Sequence, residues 1–445
     1  MPPGDLGECE NKGEEMLSAR RSKLAVTMVA VLGITAAACS NAVPTATTNS
    51  SNAPGVSAHE IIVGSLSTQS GPIAADFAPV VPGVKAYLDM INAQGGVDGR
   101  KINLKYSLDD ASQPTQNVDL ARTLVGQDHV FAIVGVASFT FAAAPYLTQQ
   151  GTPAFGYVVS KDWSPAPNLF GSDGSVLAYP PGAMYAPYLA KKLSIGNVAV
   201  LAYNVPASAD ACSANIKQFQ AEGIKVGYQN LATGIEGGTV TSDVLRMKQA
   251  GVGLVLSCMD VTGNVALSRA LQQNGLGSVR QLWLNGYDRN VLQQYQSLMS
   301  GVYLLVQHVP FEAAQQFPGK FPGLDKYIAT MNKYEPQYTY NEVALQGWLN
   351  ADLFVKGLKA VGPNLTQGKL VAAINKMTNF NGDGLIPPVN WKLAHTTTDA
   401  VNCGAYVKAG TNKFDIVLNK GHDVFVCFKT GNPTPVAAPS GTPGA

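Results

Sequence analysis

The 445-residue sequence predicts an α/β protein of two similar lobes, and three observations carry that expectation. Short, continuously apolar runs such as VFAIVG (Val130 to Gly135) and VGLVLSC (Val252 to Cys258) have the pattern of parallel strands buried on both faces. Amphipathic stretches alternate with them, as in βαβ units. The alternation occurs twice, over Glu60 to Phe155 and again over Asn197 to Gly286. The length fits two or three domains at about 150 residues each. Lys+Arg of 31 against Asp+Glu of 30 leaves a net charge of +1, so no global field draws nucleic acid or an anionic membrane. Only 14% of residues are charged and 46% are hydrophobic, which excludes long disordered charge blocks.

At the N-terminus, residues 1–15 match no targeting pattern, and Met16 reads as an alternative start. Arg20, Arg21 and Lys23 then precede LAVTMVAVLGITAAA (Leu24 to Ala38), too short for a comfortable membrane span and the right length for a signal-peptide core. The run ends in TAAAC followed by Ser40, which resembles a bacterial lipobox with Ala36 where Leu is usual. That resemblance implies a signal peptide over 1–38, cleavage before Cys39 and lipidation of its thiol; a plain secretory cleavage site is the alternative. Several acyl chains would hold the protein stably on a membrane. Residues 39–58, including NAVPTATTNSSNAPGVSA, read as the anchor and a flexible tether. The closing TGNPTPVAAPSGTPGA, residues 430–445, has the same character and is expected to be disordered.

Between these ends the elements follow in order. EIIVGSL (Glu60 to Leu66) is a strand, and Val81, Val84, Leu88 and Ile91 mark one face of a helix. KINLKYSL is a strand, Thr115 to Val125 a helix, VFAIVG a strand, then a short helix and TPAF. In the second half NVAVLAY, IKVGYQN, VGLVLSC and QLWLNG are strands, separated by helices near Asn215 to Ala221, Val240 to Gln249 and Val265 to Gln273.

Several segments together carry a family resemblance: VGSLSTQSGP (Val63 to Pro72), INAQGGVDGRKINLKYSLDDAS (Ile91 to Ser112), VFAIVGVAS (Val130 to Ser138), NEVALQGWLNADLFVKGLKAVG (Asn341 to Gly362) and FNGDGLIPPVNW (Phe380 to Trp391). In this order they resemble the leucine-binding protein family, extracytoplasmic solute-binding proteins of ABC importers with the type I periplasmic-binding fold. The resemblance implies two Rossmann-like lobes joined by a hinge of three crossings, with the ligand between them. The N-terminal lobe is expected over 59–178 plus 308–392 and the C-terminal lobe over 179–307 plus 393–429. It also implies a monomer without enzymatic activity, cofactor or metal, whose partners are a small-molecule ligand and an ABC transporter permease. With the anchor, this places the protein on the extracytoplasmic face of the cell membrane.

In open parallel sheets ligands lie beyond the carboxyl ends of the strands. Ser67, Thr68 and Ser70 follow the first strand, and Ser138 and Thr140 follow VFAIVG; N-capping is the competing role for each. By the resemblance, Ser138 or Thr140 takes the place of the hydroxyl that holds a ligand carboxylate, and the Val158 backbone and Ser160 make further contacts. Phe77 takes the place of the aromatic contact, or is a core residue. Amino-acid binders of the family hold the ligand ammonium with an acidic residue and a tyrosine, since a buried cation needs pairing. Here NVPASADA supplies no tyrosine, and Gly263 or a neighbour stands at the acidic position. Asp260 is the substitute, with Asp173 at the lobe junction, against cap or turn roles for both. Tyr203, Tyr287 and Asp288 end strand patterns and complete the cleft candidates. The expected ligand is an amino acid, an amide or a related carboxylate, with an aromatic metabolite also open.

Motifs for chemistry are missing. There is no GxSxG; GKL at Gly368 to Leu370 lacks the Ser/Thr and first Gly of a phosphate loop; the five His have no metal-ligand spacing. Asp109 and Asp110, adjacent on a strand, point to opposite faces and read as a turn and cap. Of six cysteines, Cys9 and Cys39 precede the folded body. Cys212, Cys258, Cys403 and Cys427 then allow three pairings. Cys212 with Cys258, in one α/β run, and Cys403 with Cys427, in the β-rich end, are favoured. Two other readings stand beside solute binding: a ligand-sensing module of a membrane signalling system, and an exported hydrolase-type enzyme.

Overall fold

The computed structural model describes residues 53–177, 184–235, 240–397 and 401–444. The chain divides into Met1–Thr47 and Thr48–Ala445; the signal segment and Cys39 lie outside the described residues. The first sheet is built from β1 (Glu60–Ser67), α1 (Val80–Ala93), β2 (Lys101–Asp109), α2 (Pro114–Gly126), β3 (Ala132–Ala137), α3 (Ala144–Gln150), β4 (Ala154–Gly156) and β5 (Leu169–Gly171). Its order is β2-β1-β3-β4-β5 and every pairing is parallel. All six side chains of β3 are buried, whereas β2 at the edge mixes buried and exposed positions.

The chain then builds a second sheet. It runs through α4 (Tyr185–Lys192), β6 (Asn197–Tyr203), α5 (Pro206–Ala221), β7 (Lys225–Thr233), α6 (Val240–Ala250), β8 (Leu254–Cys258), α7 (Val261–Gln273), β9 (Arg280–Trp283), α8 (Arg289–Gln294), α9 (Gln296–Met299) and β10 (Tyr303–Val306). It returns to cover the first sheet with α10 (Ala313–Gln316), α11 (Pro322–Tyr334), α12 (Glu342–Val361) and α13 (Gln367–Ile374). A third passage reaches β11 (Val401–Ala409), β12 (Phe414–Val417), β13 (Val426–Lys429) and β14 (Pro435–Val436). The second sheet has the order β14-β13-β11-β10-β9-β8-β6-β7, with β12 on β11; it is parallel from β7 to β10 and antiparallel beyond.

Helix α12 is buried nearly all round because it packs against α1, α13 and strands β3 and β4. Its crossing with α1 is close. A Cβ on Gly83 would stand 1.8 Å from the Ala344 carbonyl oxygen, and one on Gly347 would stand 2.0 Å from that of Val80. One turn farther on, Tyr87 Oη donates to Asp352 Oδ1 at 2.7 Å, and Lys356 Nζ lies 2.7 Å from Asp352 Oδ2.

Two expectations change. Helix α5 begins at Pro206, not near Asn215: the buried face of its first half is made of Ser208, Ala211, Cys212 and Ala214, small residues that give little hydrophobic periodicity before Ile216 and Phe219. The segment 430–444 is not without order; β14 pairs with β13 and Thr442 is buried. Backbone pairing needs no apolar pattern, which is why composition alone missed it. Both favoured disulfides are present. Cys212 of α5 joins Cys258 at the end of β8 with Cα atoms 5.9 Å apart, and Cys403 faces Cys427 across β11 and β13 at 4.0 Å.

Two outcomes are expected. By helix propensity alone, Gly→Ala stabilises by about 1 kcal/mol. Gly83→Ala should instead destabilise by about 2 kcal/mol or more through the clash with α12, whereas Gly368→Ala in α13, where nothing lies within 4 Å of the new Cβ, should not. Urea unfolding of both variants checks the reversal of sign. Replacing the Cys403–Cys427 pair by serines should cost roughly 3 kcal/mol from loop-closure entropy, read by the same method.

Candidate ligand cleft

A cavity of about 310 Å³ lies where the carboxyl ends of the two sheets face each other. From the first lobe it is lined by Asp76 and Phe77 after β1, Phe139 after β3, and Tyr157 to Val159 after β4. From the second lobe come Ser208 after β6, Cys258 and Asp260 after β8, Leu284 and Asn285 after β9, and Gln307 after β10. Glu342 and Gln346 project from the first turns of α12. The volume falls within the ordinary range for small-molecule sites.

The hydroxyl groups of the first lobe face an internal carboxylate. Asp110 is fully buried; its oxygens accept from Thr68 Oγ1 at 2.7 Å, Ser138 Oγ at 2.8 Å, Asn117 Nδ2 at 2.7 Å and the Ser112 N–H at 2.9 Å. The Thr68 and Ser138 hydroxyl oxygens lie 2.9 Å apart. Ser138 therefore serves this hub and does not line the cavity. Ser160 Oγ likewise donates to Asp162 at 2.7 Å, and Ser70 is exposed, bonded to Asp109. Thr140 is half-buried and also outside the lining, whereas Phe77 and Val158 are within it. Phe77 meets Phe139 edge-on at 5.2 Å, and Phe139 packs on apolar clusters of both lobes.

In the second lobe Asp260 caps α7, accepting the Gly263 N–H at 2.8 Å, and its Oδ1 also takes the Tyr203 hydroxyl. Position 263 has no room for a side chain: a Cβ there would lie 2.1 Å from Tyr203 Oη. The carboxylate of this turn thus stands at Asp260, which lines the cavity. Tyr203 acts behind it. Tyr287 and Asp288 are placed elsewhere. Tyr287 stacks on Phe311 and donates to Glu312, while Asp288 caps α8 and accepts from Asn341 Nδ2 at 2.6 Å, joining the caps of α8 and α12.

The cleft contains groups that pattern reading passed over. Asp76, 8% exposed, is pushed up to about pKa 8 by burial and by the Asp260 carboxylate; it accepts the Val261 N–H across the cleft at 3.4 Å. Glu342 is pushed up to about 8 by burial, then by Asp173. His308, 3.7 Å from Glu342, is pushed down to about 4 by its burial, so it provides no compensating charge at neutral pH. Tyr185 Oη, Gln218 Oε1 and Gln346 Oε1 belong to lining residues, are buried and have no hydrogen-bond partner. Asp76 lies in the loop between β1 and α1 and was findable as a carboxylate beside Phe77. Glu342 looks like an ordinary first-turn acid of a helix. Among the described residues no group of three or more His, Cys, Asp or Glu is placed to hold a metal ion.

Similarity to known proteins agrees with this arrangement. The family model described as periplasmic binding protein matches residues 60–413. A Leu/Ile/Val-binding protein homolog 3 of Brucella melitensis is 36% identical over 86 residues, 19% of this chain and 23% of that protein's length. The matched stretch is thus under a quarter of that relative. A possible leucine/isoleucine/valine-binding protein from Rhodopirellula baltica superposes with a TM-score of 0.67 at 17% identity, covering 81% of this chain and 96% of that one. A fatty acid ABC transporter substrate-binding protein from Thermomonospora curvata gives 0.68 at 15% identity, covering 88% and 97%. At these identities the structures show the fold, which is the expected one of type I periplasmic-binding proteins.

The raised pKa of Asp76 has a thermodynamic consequence. The folded protein binds the proton more tightly than the unfolded chain, so stability from this group is full below about pH 4 and is lost as pH rises toward 8. The loss is at most about 6 kcal/mol at about 1.4 kcal/mol per pKa unit. In ligand-free protein, the Tm of Asp76→Asn minus that of the wild type should therefore grow between pH 5 and pH 8.5. Glu342 titrates in the same window but affects both proteins alike. A difference independent of pH would contradict the assignment.

Proposed function

The chain belongs to the periplasmic binding protein family, and on that premise we propose that it is an extracytoplasmic solute-binding protein that closes two lobes over a small polar solute and delivers it to the permease of an ABC transporter. The observation that carries this reading is the cavity of about 310 Å³ lined from both sheets, with Asp76 of the first lobe bonded to Val261 of the second across it. Lobes at 59–178 plus 308–392 and 179–307 plus 393–429 follow on this reading. At its outer edge Lys161 of the first lobe and Asp210 of the second form an ion pair at 2.5 Å. Ligand binding favours the closed arrangement because only there do both walls contact it. The protein acts as a monomer without catalysis, and lipidation of Cys39 holds it at the membrane while the tether gives it reach.

Relatives named for Leu/Ile/Val and for fatty acids support a solute drawn from amino acids and related small organic molecules. Pairing of Tyr203 with Asp260, and not with open cleft, separates this site from one built for an α-amino acid.

A screen of amino acids, amides, urea, amines and aromatic acids by thermal shift and calorimetry tests the reading. At 100 times its Kd a true ligand should stabilise the folded protein by about 2.7 kcal/mol, and small-angle scattering should show a smaller radius of gyration. Absence of stabilisation by every solute would remove the proposal.

A further inference from the structure

The cleft has one sign of charge. Asp76, Asp173, Asp260 and Glu342 line it, and none of the described lining residues is Lys, Arg or His. The first-lobe hydroxyls and the first N–H groups of α7, which an anion would use, are already engaged. Thr68 and Ser138 serve Asp110, Ser160 serves Asp162, and the first N–H groups of α7 go to carboxylates, Val261 to Asp76 and Gly263 to Asp260. Tyr185 Oη, Gln218 Oε1 and Gln346 Oε1, of lining residues, are buried without a hydrogen-bond partner. The remaining wall, with Phe77, Phe139, Leu284 and Leu305, suits an apolar body, and aromatic faces attract cations.

We propose that the solute is a small organic cation without a carboxylate, an alkylammonium or amidinium on an apolar body, with its charge between Asp76 of the first lobe and Asp260 of the second. This rests on the solute-binding reading and names the chemistry of that site. Such a ligand couples charge to closure. Burial and the Asp260 carboxylate keep Asp76 protonated near neutrality, and a cation between the two lets it ionise only in the closed arrangement. The protons that Asp76 and Glu342 retain near neutrality are what such a cation would displace.

The test uses four compounds with one isobutyl group in three charge states, cationic, zwitterionic and anionic. Calorimetry of the full folded protein at pH 8 is run with 3-methylbutylamine, leucinamide, leucine and 4-methylpentanoate. The two cations lacking a carboxylate should bind at least about tenfold tighter than leucine, and 4-methylpentanoate should not bind. Asp76→Asn and Asp260→Asn should each weaken 3-methylbutylamine by at least about tenfold, with unchanged far-ultraviolet circular dichroism showing that the variants fold. Gln346→Ala, which leaves the charges intact, should weaken it less. Equal or tighter binding of leucine or 4-methylpentanoate would overturn the cation assignment and leave solute binding standing. The cation assignment likewise falls if none of the four binds while the wider screen finds only neutral or anionic ligands. Failure of the wider screen as well would remove both.

Discussion

The close crossing of α1 and α12 holds together parts of the chain that are some 260 residues apart. Gly83 faces the Ala344 carbonyl and Gly347 that of Val80, so the two backbones meet with nothing between them. Because α12 is laid down only after the chain has built most of the second sheet, this contact is what returns it to the first lobe. It also sets the cleft. The loop leading into α1 carries Asp76 and Phe77, and the first turns of α12 carry Glu342 and Gln346, so one interhelical distance positions four lining residues. The buried hydrogen bond between Tyr87 and Asp352 fixes the sliding register of the pair.

The alternation of apolar runs and amphipathic stretches was sufficient to locate the parallel strands, since a strand buried on both faces has few other ways to be written. It failed where burial used small residues or none. Helix α5 hides Ser208, Ala211, Cys212 and Ala214, and β14 is held by backbone pairing. The cleft was legible in position more than in role. Phe77, Val158 and Asp260 line it, while Ser138, Ser160 and Tyr203 stand beside it with their hydroxyls directed to carboxylates of the protein. A sequence shows that a hydroxyl follows a strand. It does not show that Asp110, 28 residues before Ser138, will claim it.

That distinction bears on how specificity arises in such a fold. The strand ends supply donors and acceptors by default, and what a solute meets is whatever the protein has not already used. Here Asp110 removes the first-lobe hydroxyls and two carboxylates occupy the start of α7. The bare Gly263 lets Tyr203 reach Asp260, so a missing side chain is as much a part of the site as the acid itself.

The two disulfides also meet the cleft, since Cys258 and Cys403 are both among its lining residues. The second-lobe wall is therefore covalently stitched at two points, from α5 to β8 and from β11 to β13, whereas the described first-lobe wall is held by packing and hydrogen bonds. Descendants of this chain that acquire a new solute have unequal freedom in its two halves. Drift in the first-lobe loops around Phe77 and Phe139 can reshape the opening residue by residue, while the stitched side changes only within limits set by its bonds.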